Sequence, residues 1–138
     1  MSGYSGTPLP KKLGIKAEHQ LAFLSAPSTF RRTLGPLPPG VQIATSLRGK
    51  RLFDVIVLFV DRSSALEAKF GKAAARLVQN GGLWIAWPKR SSGVATDVTE
   101  SVARETALAN KLVDNKVCAI DEVWSGLRCV IRLRDRKN

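Results

Sequence analysis

The run Trp87-Pro88-Lys89-Arg90-Ser91-Ser92-Gly93-Val94-Ala95-Thr96-Asp97 gathers an ammonium, a guanidinium, three hydroxyls and a glycine into one short stretch. Such groups hold a phosphate or carboxylate: Lys89 and Arg90 supply charge, Ser91, Ser92 and Thr96 supply hydroxyl donors, and Gly93 lets the backbone approach closely. The pattern GxxxxGK[ST] is not complete here, so nucleotide hydrolysis is not implied. The competing reading is a crossover loop whose polar groups meet water while Asp97 caps the helix that follows. An anionic Asp97 at that N-terminus competes with any bound anion.

Other chemistry is thinner. His19 has no Ser, Cys or Asp at a spacing that would make it a general base, and a structural histidine is expected. Asp121 and Glu122 are the remaining acid/base candidates, but neighbours on a strand point to opposite faces, so only one can enter a common site. Cys118 and Cys129 lack CxxC spacing and histidine neighbours, which argues against metal and for buried free thiols. With Ser125-Gly126 as a hairpin turn, Glu122 falls opposite Cys129 and Leu133 opposite Cys118, so the thiols do not pair. No catalytic residue, metal ligand or cofactor is predicted.

The elements that must position the loop are a buried strand over residues 83–87 and an amphipathic helix over residues 98–113, with Asp97 and Glu100 as its capping box. Residues 53–60 are continuously apolar apart from Asp54, as in a central strand covered on both faces. Ser64 and Glu67 predict a helix start, Leu66, Phe70, Ala73, Ala74 and Leu77 recur at helical spacing, and Asn80-Gly81-Gly82 predicts its end. Strand, helix and strand then form a right-handed crossover unit, which implies a parallel sheet. Earlier, residues 21–25 and 41–45 predict short strands and residues 27–34 a short helix, with the prolines at 36, 38 and 39 enforcing a loop. Residues 116–121 and 127–134 predict an antiparallel hairpin at the sheet edge. The loops after residues 25, 60 and 87 emerge at the carboxyl edge of such a sheet, which adds Ser28, Thr29, Asp61 and Arg62 as rim residues.

The chain has 138 residues, 44% of them hydrophobic, which suits one compact domain. The expected division is an irregular amino-terminal arm over residues 1–15, a single α/β domain over residues 16–134 and a loose tail over residues 135–138. The expected fold is a Rossmann-like three-layer sandwich, mainly parallel, with a C-terminal antiparallel hairpin. Residues 1–10 offer no apolar signal segment and no run reaches membrane-spanning length, so a cytoplasmic location without membrane association is expected.

Twenty-two Lys and Arg against 11 Asp and Glu leave a formal charge of +11, so a polyanionic partner is a second reading. Its contacts would be Lys11, Lys12 and Lys16, Arg31 and Arg32, the cluster Arg48, Lys50 and Arg51, and Arg128, Arg132 and Arg134 on one face of the last strand, as separate patches. Trp84 and Trp87 have opposite parity, so at least one is core, and Trp124 is the one tryptophan at a turn where a base can stack. The exposed hairpin edge leaves a homodimer open.

The order of elements from residue 53 onward resembles the later half of the class I methyltransferase fold. That family's first strand leads into a Gly-rich turn, whereas here residues 21–25 run into Ala26-Pro27-Ser28-Thr29. The second strand ends in Thr45-Ser46 where the family has an acidic residue for the ribose. The resemblance therefore implies a degenerate methyltransferase-like enzyme at most, without a working S-adenosylmethionine site. Three segments, Tyr4-Ser-Gly-Thr-Pro-Leu-Pro-Lys-Lys-Leu-Gly-Ile15, the run 87–97 quoted above and Val117-Cys-Ala-Ile-Asp-Glu-Val-Trp-Ser-Gly-Leu-Arg128, resemble domain of unknown function 3052, a family of small bacterial proteins, over nearly the whole chain. That resemblance implies no activity and no site residues. The reading that the residues favour is a non-catalytic binding or regulatory module for an anionic ligand. A weakly specific nucleic-acid-binding protein and the degenerate enzyme are the alternatives.

Overall fold

The computed structural model describes residues 6–137; Tyr4 and Ser5 of the first quoted segment and Asn138 of the tail lie outside them. The apolar runs become the strands β1 (Gln20–Leu24), β2 (Gln42–Ala44), β3 (Phe53–Phe59), β4 (Leu77–Pro88), β5 (Leu112–Ala119) and β6 (Trp124–Ile131). They share one sheet in the order β2-β1-β3-β4-β6-β5. The pairs β1·β2, β1·β3 and β3·β4 are parallel. β6 runs antiparallel to both of its neighbours, so the hairpin closes one end of the sheet with β5 as the edge and the last strand inside it.

Side-chain alternation on β3 divides the core in two. Ile56, Leu58 and Val60 join Phe70, Leu83 and Trp87 beneath α3 (Ser63–Ala74) and α4 (Glu100–Ala109). Val55, Val57 and Phe59 join Leu13, Phe30 and Trp84 on the other face, beneath α1 (Leu9–Lys12) and α2 (Phe30–Leu34). A strand buried on both faces must be apolar at every position, which is why β3 and the second half of β4 carry no period-2 pattern. Both tryptophans of opposite parity are thus core, one on each side. The arrangement is the expected single-domain, three-layer α/β sandwich.

Four local expectations are corrected. Part of the amino-terminal segment is regular: Leu9–Lys12 makes one helical turn that tolerates Pro10 because its first N–H groups need no helical partner. It carries Leu13 and Ile15 into the core, and the Trp84 indole Nε1–H donates to the Leu13 carbonyl at 3.1 Å. Next, α3 stops at Ala74 and Leu77 opens β4, so Asn80-Gly81-Gly82 lies within a strand. Glycine is needed there for approach rather than termination. A Cβ on Gly81 would stand 2.8 Å from the Asp54 carbonyl, at the point where the β3·β4 register slips.

The Ser64–Glu67 box does not form, since α3 begins after Arg62 with no side-chain cap from that residue. Finally, Ser125 and Gly126 pair with Ala119 and Cys118 inside the ladder. The turn lies just before them, where the Asp121 carboxylate accepts the N–H groups of Val123 and Trp124, both at 2.8 Å. Gly126 packs on an aromatic face, because a Cβ there would meet Trp84 Cε3 at 2.9 Å.

At the carboxyl end, residues Leu133–Asp135 form a 3-10 turn. Beyond it the Arg136 Nε–H donates to the Ile131 carbonyl and the Lys137 N–H to Gln79 Oε1. Both cysteines are free, Cys118 half-buried and Cys129 buried. Among the described residues no helix is long and apolar enough to cross a membrane, and no cluster of His, Cys, Asp and Glu is suited to hold a metal ion.

Candidate functional site

From β1 the chain moves outward to β2, then crosses to β3 on β1's other side. The carboxyl ends of β1, β3 and β4 therefore share one edge at a topological switch point. The loop 88–97 leaves β4 at this edge, tied to the hairpin turn by the Lys89 N–H donating to the Val123 carbonyl at 2.7 Å. Residues Arg90–Ser92 make a 3-10 turn, and Gly93 ends it at φ 77°, a left-handed conformation that glycine adopts without strain.

Two of the hydroxyls expected to face a ligand are used by the loop itself. The Ser92 Oγ–H donates to the Lys89 carbonyl at 2.7 Å, and the same oxygen accepts the Val94 N–H at 3.2 Å. The Thr96 hydroxyl donates to the Asp61 carbonyl at 2.7 Å and accepts the Val98 N–H at 3.0 Å. Lys89, Arg90, Gly93 and Thr96 line a cavity of about 540 Å³ together with Trp87 and Glu100, whereas Ser91 and Ser92 do not line it. Glu100 pairs with Arg104 at 2.6 Å, and Arg104 also reaches Asp114 at 3.1 Å.

Asp97 does not cap the helix that follows it. Its carboxylate reaches back to the preceding crossover, accepting the Ser63 N–H at 2.7 Å and the Ser63 hydroxyl at 2.8 Å, so it fills the N-terminus of α3. These two bonds, the backbone one foremost, hold its carboxyl below the usual carboxylate range, with help from the Arg62 cation. The start of α4 is capped by Thr99, whose Oγ1 accepts the Val102 N–H at 3.1 Å. Both helix N-termini at this edge are thus served by groups of the protein. What remains for a ligand is the side-chain charge of Lys89 and Arg90.

The rim divides. Asp61 and Arg62 adjoin the loop through Thr96 and Asp97. Ser28 lines a separate cavity of about 380 Å³ with Ser25, Arg31 and Thr45, while Thr29 lies outside it and offers its carbonyl to Thr33. Ser63 and Ser125, which the sequence reading did not single out, complete the loop's anchorage and the wall of its cavity. No spacing rule finds Ser63, since its partner is 34 residues away.

The acid/base candidates are not brought together at the loop, and Glu122 is exposed. His19 Nδ1 accepts the Lys16 N–H at 3.1 Å, and Asp121 holds the hairpin turn. Trp124 is half-buried and packs edge to face with Phe59, the ring centroids 5.1 Å apart.

The fold resembles solved methyltransferases over nearly its whole length. A SAM-dependent methyltransferase from Aquifex aeolicus matches with a TM-score of 0.63 at 13% identity, covering 94% of this chain and 91% of that one. The DhpI–SAH complex matches at 0.63 and 10% identity, covering 92% and 83%. Aeropyrum pernix fibrillarin with bound S-adenosyl-L-methionine matches at 0.57 and 15% identity, covering 93% and 70%. At these identities the likeness is one of fold. No family model matches the chain, and no curated protein does.

The residues at the switch point do not fit the methyl donor. The rings of Phe23, Phe30, Phe59 and Trp124 stand edge to face with successive centroids 5.0, 4.9 and 5.1 Å apart, and Phe23 and Phe30 form an apolar wall of the cavity beside β1. The turn after β1 contains Ala26, Pro27 and Ser28 in place of glycines, and no carboxylate lines the adjoining cavity to receive a ribose.

Proposed function

We propose that this chain is a non-catalytic binding module on a methyltransferase-like fold, recognising a phosphate- or carboxylate-bearing small molecule in the cavity beneath the loop 88–97. The observation that carries this is the charge of that cavity. Lys89 and Arg90 line it, while the two nearby carboxylates are engaged elsewhere, Glu100 by Arg104 and Asp97 by Ser63. Two cations against one carboxylate that already has a partner leave the wall net positive, which favours an anion. Ser125 brings a hydroxyl to the cavity wall, whereas Ser91 is exposed on the loop outside it. The degenerate-methyltransferase reading draws support from the shared fold, but the turn after β1 gives it none. The same three segments that resemble domain of unknown function 3052 support placing the chain in that family.

The test is thermal-shift titration of the full chain with inorganic phosphate, nucleotides, dicarboxylates and S-adenosylmethionine, repeated on a Lys89→Ala, Arg90→Ala variant. A ligand at 100 times its Kd stabilises the folded state by about 2.7 kcal/mol. The expected result is a shift with one anionic class that the variant loses. A shift with S-adenosylmethionine that survives in the variant, or no shift with any anion, overturns the proposal.

A further inference from the structure

The basic groups of the amino-terminal turn and of the last strand, far apart in sequence, meet on one face of the sheet. Arg128 on β6 is the cross-strand partner of Trp84 on β4 and of Lys116 on β5, so the three side chains rise from the same face. Trp84 is covered by the amino-terminal segment, and the Lys116 ammonium donates to the Lys12 carbonyl at 3.0 Å, which brings Lys12 to the same shelf. Gly82, two residues before Trp84, leaves the room in which the Arg128 guanidinium lies: a Cβ at Gly82 would stand 2.4 Å from Arg128 Nε. The tail crosses nearby, with the Lys137 N–H on Gln79 and Arg136 close enough that its charge acts on Arg128.

Arg128 is half-buried, yet among the described residues its guanidinium donates no hydrogen bond and forms no ion pair. Burial first, and Arg136 next, pull its pKa below the ordinary guanidinium value, and no carboxylate acts on it. Carboxylates elsewhere are drawn to backbone N–H groups: Asp54 to Gln20, Asp97 to Ser63 and Asp121 to its turn. A partly desolvated guanidinium with five donors and no acceptor is a costly arrangement unless something brings oxygens to it.

We propose that this shelf, formed by Arg128, Lys116, Arg136 and Lys12 on the face of β6 and β5, binds the phosphate backbone of a nucleic-acid duplex. The spread of the cations over an open sheet face suits a polymer rather than a small enclosed ligand. Every phenylalanine and tryptophan of the described residues is buried or half-buried in packing, so the shelf offers no ring on which an unpaired base would stack. Contact is therefore with phosphates, independent of sequence.

The experiment is fluorescence anisotropy of the full chain with a labelled 20-base-pair DNA duplex from about 50 to 200 mM salt. Three phosphate contacts, from Arg128, Lys116 and Arg136, give a log–log salt slope of about −2.7, or an affinity loss of about 40-fold across that range. The Arg128→Gln, Lys116→Gln, Arg136→Gln variant should lose most of that slope. Lys116→Gln, Arg136→Gln alone, which leaves the half-buried site intact, should lose about 1.8 of it. Lys89→Ala, Arg90→Ala and Arg31→Gln, Arg32→Gln should leave it unchanged, which separates this surface from the loop cavity and from the other basic patches. Far-UV circular dichroism of each variant verifies the fold. An unaltered slope in both shelf variants, absence of duplex binding at 50 mM salt, a single strand bound tenfold more tightly than the duplex, or equal affinity for poly-glutamate overturns the proposal.

Discussion

Phe30 walls the cavity at the switch point and its ring links two others, so replacing it by alanine should be costly. Phe30 is 1% exposed, and it stands edge-on to Phe23 at 5.0 Å and to Phe59 at 4.9 Å. Truncating a buried phenylalanine costs about 3–5 kcal/mol, within which each lost edge-to-face pair contributes about 0.5–1.5 kcal/mol. For a chain of 138 residues, an unfolding entropy of about 2.1 cal/mol/K per residue means that each kcal/mol lowers Tm by about 3.4 °C. The expected fall is about 10–17 °C by calorimetry, with a matching drop in the urea midpoint at unchanged slope. Phe30→Leu, which keeps most of the volume and loses the ring contacts, should fall between the two. Arg32→Ala, exposed on the same short helix, should stay within about 0.5 kcal/mol of the parent. A loss below about 1 kcal/mol for Phe30→Ala would mean that the ring is not packed between Phe23 and Phe59 as described.

Two further outcomes follow from titratable groups. Asp97 has its pKa lowered in the folded state, chiefly by the Ser63 N–H, so its contribution is present above the unfolded value and lost as pH falls through the folded one. The Tm gap between the parent and Asp97→Asn should be full at neutral pH, begin to close as pH falls through the ordinary value of 3.8, and vanish below the lowered one. Burial pushes the Cys129 thiol up to about 12, and burial likewise raises that of Cys118. In a thiol-reagent assay at pH 8, Cys129 should react only after unfolding and Cys118 more slowly than a free thiol; rapid native labelling of both would contradict the packing described.

What was legible in the residues tracks how local its cause is. β3 and the latter part of β4 could be read because burial on both faces forces an unbroken apolar run, and the parity of Trp84 and Trp87 assigned them to opposite faces. Gly81, Gly82 and Gly126 were misread as punctuation, since a glycine that permits close packing looks in sequence like one that ends a helix or makes a turn. Asp97 was paired with the wrong helix for the same reason: its spacing to Glu100 satisfies a local rule, while Ser63 wins it through an approach that only the folded sheet provides. The cations of the loop were visible, but which hydroxyls turn inward depends on carbonyls at Lys89 and Asp61 that no spacing points to. The insertion of β6 between β4 and β5 is likewise a long-range choice. That choice places Arg128 between Trp84 and Lys116, while Arg132 and Arg134 of the alternating pattern fall beyond the end of β6.

The bond between Ser63 and Asp97 also bears on the order in which the chain assembles. The cap of α3 arrives from beyond β4, so a nascent chain ending in α3 has a 12-residue helix whose first turn lacks any side-chain acceptor. A helix of that length is marginal alone, and it should fray until β4 has paired with β3 and the next crossover has returned to the edge. Helix and crossover then become ordered in the same step. A fragment truncated before residue 88 would therefore show less helix than its share of the native fold, while adding residues 88–99 should restore it.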